Sequence, residues 1–401
     1  MNNIWLDLTT TYNWNRPPVG IVRVETEIAR YMIGAADERI RYSVFNNETK
    51  ALYELAHAEV AKMLSRQQNG KNAVQTSGGD TQQQRNPVVL GEGDVYITLG
   101  LDWDQKDYAY LYGLKKTNKF KVITFCYDLI PVLYPQYCVG DVAAKFAKYF
   151  VDLAWLSDHT FCISKCTEND FRSLLDSLGA PLPATEVIHL GCDINNINDS
   201  DVSKEIEIFK DKKYILFTST IERRKNHEVI YKAICRLVSE GYEPPHVVFV
   251  GMQGWGVSDL MQDLKLDPRV AGRVTILNQL SDQELSLLYR NSLFTVFPSH
   301  YEGWGLPVSE SLAYGKFCLA SASSSLPEVG GDMLEYIDPY DVPKWAERIQ
   351  YYYDNPHILA QKEERIKHNY SKPTWKAAGK AVHDVAIMLA DRKTDDGLSS
   401  I

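Results

Sequence analysis

The sequence predicts an α/β protein built as two Rossmann-like halves that face each other across a cleft, with a last helix crossing back to the first half. Three observations carry that prediction. The 401 residues exceed what one hydrophobic core usually supports. Short β-like runs alternate with helix-like segments along most of the chain, which implies parallel strands joined by right-handed crossovers. Those runs fall into two similar batches of six.

The first batch is Ile4–Thr9, Arg41–Asn46, Asp94–Leu99, Lys121–Tyr127, His159–Ser164 and Thr185–Leu190. The second is Lys213–Thr218, His246–Val250, Arg273–Asn278, Leu293–Pro298, Lys316–Ala320 and Glu335–Asp338. Domains of 1–196 and 197–373 follow, with residues 374–392 as the returning helix. Residues 65–88 are rich in Gln, Asn, Gly and Ser, and read as a mobile surface insertion of the first domain. The polar stretch 195–212 reads as a hinge. In Val142–Leu156, Val142, Phe146, Phe150 and Leu153 form a stripe expected to face the core. Ligands of such sheets bind at the carboxyl ends of the strands.

Composition excludes several classes. An apolar fraction of 45% suits a globular protein, and a net charge of −9 argues against general nucleic-acid binding. No run approaches the roughly 20 apolar residues that span a bilayer. Met1–Asp7 lacks the basic and long apolar regions of a secretory signal. Seven scattered cysteines read as reduced thiols of a cytosolic protein, and Cys162-x(3)-Cys166 has no second ligand pair to make a metal site. Asp102-Trp103-Asp104 has the shape of a metal-binding Asp-x-Asp triplet, but such triplets are common and no metal is expected.

Two stretches carry chemistry. After the apolar run Leu293–Phe297 comes Ser299-His300-Tyr301-Glu302-Gly303-Trp304-Gly305-Leu306-Pro307-Val308-Ser309-Glu310. Pro307 suits the first position of a helix that Gly315 can end. Glycines admit a ligand to the backbone, and the helix start attracts phosphate or sugar oxygens. Glu302 and Glu310 can accept from ribose or hexose hydroxyls, so the combination points to a nucleotide sugar. The second stretch is Lys213–His227, where a strand runs into Arg223-Arg224-Lys225 before an apolar-striped helix. Cations there oppose the helix dipole unless an anion sits beside them, and a diphosphate fits.

The Glu-x(7)-Glu pair enclosing Gly-Trp-Gly-Leu-Pro resembles the signature of family 4 retaining glycosyltransferases, which have the GT-B fold. Arg224, Lys225 and Asn226 resemble that family's phosphate clamp, with Ser219 where some members have an arginine. Gly20 takes the place of the family's first glycine loop, though a plain strand-to-helix turn explains it too. Arg23, one turn on, is a candidate for an anionic ligand or a structural arginine. Tyr127-Asp128-Leu129-Ile130-Pro131 resembles the family's His-Asp-Leu-Ile-Pro, with tyrosine replacing the histidine that touches the donor sugar. Gly251 would line the nucleotide, and Leu280 lies in the loop whose backbone reads the base, just before a helix capped by Ser281. Leu326–Gly331 and Ile337–Pro339 extend the likeness.

The resemblance implies a metal-independent retaining hexosyltransferase with no cofactor, its nucleotide sugar being a substrate. Lys225 and Arg224 would stabilise the leaving diphosphate, Glu310 would hold the ribose, and Glu302 with Gly303, Trp304, Gly305 and Leu306 would orient the sugar. Tyr127 and Asp128 would stand across the donor. The nearest likeness is to bacterial enzymes that build O-antigen, capsule or exopolysaccharide chains. The expected reaction is mannosyl transfer from GDP-mannose to a saccharide or lipid-linked saccharide, with peripheral contact at the cytoplasmic face of the membrane. The alternatives are a GT-B sugar-nucleotide epimerase and a non-catalytic glycan- or partner-binding subunit.

Overall fold

A computed structural model describes residues 1–15, 19–68, 85–192 and 202–392. They divide into two compact units. The first comprises Met1–Leu133, Gly140–Gly191 and the chain from Thr374, and the second comprises Tyr134–Val139 and Cys192–Pro373.

The first unit is built on an eight-stranded sheet. Its strands are β1 (Ile4–Asp7), β2 (Ile40–Asn46), β3 (Ala51–Leu55), β4 (Pro87–Val88), β5 (Val95–Ile97), β6 (Lys121–Cys126), β7 (His159–Cys162) and β8 (Ala184–Val187), in the order β4-β3-β2-β1-β5-β6-β7-β8. All six strands expected in this half are present. From β2 through β8 the pairs are parallel, and the central strands are buried on both faces, as sheets covered by helices require. Helix Val142–Leu156 turns Phe150 and Leu153 into the core, with Phe146 packed beside them.

The antiparallel strands β3 and β4 were not expected. Ala51-Leu52-Tyr53-Glu54-Leu55 is rich in helix formers, so local propensity favours a helix. The turn before it decides otherwise. Asn46 Oδ1 accepts from the N–H groups of Glu48 (2.9 Å) and Thr49 (3.1 Å), and Lys50 adopts a left-handed φ of 52°. That folds the chain back on β2 and buries Leu52 and Leu55. Most of the insertion expected over 65–88 lies outside the described residues, which resume at Arg85.

Helix Trp375–Asp391 returns to this unit and packs on helix Gly20–Gly34. A Cβ added to Gly379 would lie 2.4 Å from that of Tyr31, so the contact requires glycine.

The second unit has a six-stranded, wholly parallel sheet. Its strands are β9 (Tyr214–Thr218), β10 (His246–Val250), β11 (Val274–Leu277), β12 (Thr295–Phe297), β13 (Cys318–Ser321) and β14 (Glu335–Ile337), in the order β11-β10-β9-β12-β13-β14. The order reverses between β9 and β12, which makes that junction the topological switch point of a doubly wound sheet. Of the hinge expected over 195–212, residues 195–201 lie outside the described set. The remainder is a short helical stretch that inserts Ile206 and Phe209 into the core.

Candidate functional site

The two chemistry-bearing stretches emerge side by side at the switch point of the second unit. After β9 comes a 3₁₀ turn, Arg223–Lys225, then Asn226 in the left-handed conformation (φ 61°), then helix His227–Ser239. After β12 comes the loop 298–305, then helix Leu306–Ala313. Backbone and side chains stitch the loops together. His300 N–H and Ser299 Oγ donate to the Arg224 carbonyl at 2.8 and 3.1 Å. Asn226 Nδ2 donates to the carbonyls of Pro298 (3.1 Å) and Pro339 (2.8 Å).

At the centre is Glu302, only 6% exposed. It accepts from Lys225 Nζ (2.7 Å) and Ser299 Oγ (2.6 Å) and faces Arg224 Nη1 at 2.9 Å. Burial opposes its ionisation, but the Arg224 and Lys225 charges outweigh that and hold its carboxyl down at about 2. Burial also lowers Lys225, against the pull of Glu302. Arg224 is gripped again by Glu222 (2.8 Å) and the Tyr301 carbonyl (2.8 Å), while Arg223 turns away to the Gly256 carbonyl (3.1 Å). The three consecutive cations therefore separate, with two of them forming a clamp that a carboxylate organises. His227 stacks on Phe217 at 4.0 Å, and burial pushes it down to about 3, so it is neutral.

The surrounding loops are shaped by close approach. Gly305 has φ 110°, and a Cβ there would meet Leu326 Cδ2 at 2.5 Å. A Cβ on Gly251 would lie 1.9 Å from the Ser219 carbonyl oxygen. Glu302 N–H donates to Ser324 Oγ (2.8 Å), and Ser325 Oγ donates to the carbonyls of Glu302 (3.0 Å) and Trp304 (2.7 Å). These serines hold the Gly303–Gly305 loop and carried no signal in the sequence. Glu310 Oε2 accepts from Tyr289 (3.0 Å), whose hydroxyl also meets Thr218 Oγ1 (2.6 Å). Leu280 packs at the edge of the core, and Ser281 with Glu284 forms the capping box of helix Asp282–Asn291.

An aromatic wall beside the clamp was also missed. Tyr134 lies 4.6 Å from Tyr301, Tyr137 stacks on His300 (5.7 Å, 8° between planes), and His300 packs on Tyr340 (4.6 Å). Tyr134, Tyr137, His300 and Tyr340 line a cavity of about 410 Å³ with Gln136, Ser323 and Asp338. Tyr134-Pro135-Gln136-Tyr137 lies far from the clamp in sequence, so nothing local announced the association.

The first unit places its candidates differently. Tyr127 is buried, and its hydroxyl donates to the Leu99 carbonyl at 2.5 Å rather than standing ready for a sugar. Burial and the neighbouring acids keep that phenol firmly protonated. Asp128 Oδ1 accepts from Ile130 N–H (3.0 Å) at the start of a short helix. Gly20, with φ 53°, opens helix Gly20–Gly34, and a Cβ there would meet no described atom within 4 Å. Arg23 lies over the Trp375 ring at 5.7 Å.

Asp102 belongs to a buried network. Its oxygens take Lys106 Nζ (2.7 Å), Thr98 Oγ1 (2.7 Å) and Tyr108 Oη (2.5 Å), and Lys106 also meets Asp7 at 2.6 Å. Glu25 in the same interior is raised to about 8 by burial, against Lys106 and Thr11. Asp102 is thus a structural ion-pair partner.

A doubly wound unit of this kind, following another Rossmann-like unit in the chain, is the architecture of the GT-B fold. Sucrose-phosphate synthase from Thermosynechococcus elongatus superimposes with a TM-score of 0.65 at 15% identity, covering 97% of this chain and 99% of that one. Residues 198–372 match the family model described as "Glycosyl transferases group 1". Among curated proteins, the chain is 24% identical over 243 residues to "Serotype-specific mannosyltransferase WbdA" of Escherichia coli. It is 35% identical over 129 residues to "O-antigen chain mannosyltransferase B" of the same organism. The matches cover 56% and 32% of this chain but only 29% and 34% of those proteins.

Proposed function

We propose that the protein transfers a hexose, with retention, from a nucleoside-diphosphate sugar to a saccharide acceptor. The carrying observation is the Arg224–Lys225–Glu302 clamp at the switch point of the second unit. A leaving diphosphate gathers negative charge as the glycosidic bond breaks. Arg224 and Lys225 are held where a ligand on this sheet would place that charge, and preorganised cations lower the barrier most. Lys225 uses one ammonium hydrogen on Glu302 and retains others for phosphate oxygens. With two fixed cations countering the diphosphate, the reaction needs no divalent metal. Glu310, oriented by Tyr289, receives the ribose hydroxyls, and Glu302 with the Gly303–Leu306 loop orients the transferred sugar.

Mannose from GDP-mannose is the proposed donor group, supported by the names of the mannosyltransferase relatives. The proposed acceptor is a growing surface polysaccharide, lipid-linked, met peripherally at the cytoplasmic face of the membrane. Among the described residues, no helix is long and apolar enough to cross a membrane.

The test is a panel of nucleotides and nucleotide sugars read by thermal shift, with product analysis by NMR. Stabilisation by GDP and GDP-mannose, and an α-mannosidic product, are expected. Preference for UDP or dTDP donors would overturn the mannose assignment alone. A donor returned as its epimer, or no turnover with any donor, would overturn the transfer reading.

A further inference from the structure

The segment Tyr134–Val139 lies between two stretches of the first unit in sequence, yet it belongs to the second unit. Its local structure follows from its residues. Pro135 fixes the backbone at the start of a 3₁₀ turn, Pro135–Tyr137. There Tyr137 N–H donates to the Tyr134 carbonyl and Cys138 N–H to the Pro135 carbonyl, both at 3.0 Å. Residues three apart eclipse in such a turn, so Tyr134 and Tyr137 present their rings on one face.

Both rings meet the loop that carries Glu302. Tyr134 packs on Tyr301 at 4.6 Å, and Tyr137 stacks on His300 at 5.7 Å. Those two loop residues also hold Arg224 through their backbone. His300 N–H donates to the Arg224 carbonyl at 2.8 Å, and the Tyr301 carbonyl accepts from Arg224 Nη1 at 2.8 Å. The side chains that the segment packs therefore belong to the residues that fix both ends of Arg224. A third loop, the one after β10, anchors the segment in turn. Trp255 Nε1 donates to the Tyr137 carbonyl at 2.9 Å, although Trp255 is 48% exposed and gains little from core burial.

Glu222 and Glu302 balance the charge of Arg224, but charge alone does not orient it. A guanidinium recognises phosphate oxygens through a planar fork, so its plane has to be set in advance. The Tyr301 carbonyl supplies that direction, and it is only as fixed as the backbone that carries it. We infer that Tyr134 and Tyr137 are positioning residues for the clamp, fixing the backbone of His300 and Tyr301 and through it the orientation of the Arg224 guanidinium. That Arg224 then meets a diphosphate rests on the transfer reading. Its orientation by the two tyrosines does not.

The test compares the full-length wild type with Tyr134→Ala/Tyr137→Ala, with Tyr134→Phe/Tyr137→Phe, and with Trp255→Phe, which removes the anchoring indole N–H. One readout is the ¹⁵N–¹H NMR signal of the Arg224 side chain, assigned with Arg224→Lys. The other is affinity for pyrophosphate, GDP and UDP by calorimetry. In the double-alanine protein the Arg224 signal should shift and broaden. Its affinity for pyrophosphate and for the preferred nucleotide should fall by about tenfold, the scale of losing one hydrogen bond to a charged group. Trp255→Phe should move both readouts the same way by less, and the double-phenylalanine protein, which keeps both rings, should match the wild type. General loss of stability would lower the thermal midpoint without moving the Arg224 signal. An unchanged Arg224 signal in the folded double-alanine protein, or in Trp255→Phe if the former does not fold, would overturn the positioning role and leave the transfer reading standing. A signal that moves with these substitutions in a chain binding neither pyrophosphate nor nucleotide would uphold the positioning role while the transfer reading fell.

Discussion

Glu302→Gln preserves the side-chain shape at the centre of the clamp and removes its charge. In the native protein the carboxylate meets Lys225 at 2.7 Å, Arg224 at 2.9 Å and Ser299 at 2.6 Å, almost out of contact with water. Its carboxyl is held at about 2 against an ordinary 4.5, a difference corresponding to about 3 kcal/mol. Removing one partner of a buried ion pair costs about 3–5 kcal/mol. Arg224 keeps Glu222 and the Tyr301 carbonyl, so the low end, about 3 kcal/mol, is expected. At roughly 2–4 °C per kcal/mol for a unit of this size, the second unit's thermal midpoint should fall by about 6–12 °C at pH 7. The pH dependence follows from the sign of the shift. A depressed carboxyl contributes its full stability above the unfolded value near 4.5 and loses it as pH falls toward 2. The gap between wild type and variant should therefore narrow below about pH 4.5. Scanning calorimetry of both proteins from pH 7 to pH 3 measures it. Equal midpoints at pH 7, or a gap as wide at pH 3 as at pH 7, would refute the assignment of Glu302 as the organiser of the clamp.

Other consequences are open to simpler measurements. Lys225→Ala should lower kcat/KM by about 2–4 kcal/mol in transition-state terms, the scale of losing one preorganised electrostatic donor. Native turnover in a folded Lys225→Ala protein would remove that side chain from the mechanism. Gly305→Ala meets both a left-handed backbone (φ 110°) and Leu326 Cδ2 at 2.5 Å, so a loss of about 1–3 kcal/mol is expected in urea titrations. A substitution without measurable cost would mean the loop shifts freely. Activity should persist in excess chelator, and loss restored by Mg²⁺ or Mn²⁺ would show that the two cations do not suffice.

Much of this molecule was legible in the linear chain because its signals are local. Twelve strands announced themselves as short β-like runs, and those at the sheet centres did so without polar alternation because both of their faces are covered. The capping box of Ser281 and Glu284, the glycine-punctuated loop before Leu306, and the cations before His227 are each complete within a few residues. The sequence by itself thus determined the α/β architecture and the two stretches of the clamp. Only the tertiary structure decided how they meet. Glu302 lies 77 positions from Lys225, and the reversal of strand order at β9 and β12 makes them neighbours. The same holds for Tyr137 against His300, and for Asp102, which Lys106, Thr98 and Tyr108 hold in the interior. Tyr127 directly follows its strand, and its hydroxyl donates to the Leu99 carbonyl, because a buried phenol takes a carbonyl within reach. The β3 hairpin shows the remaining limit. Helix propensity is a few tenths of a kcal/mol per residue, and burying Leu52 and Leu55 against β2 outweighs it.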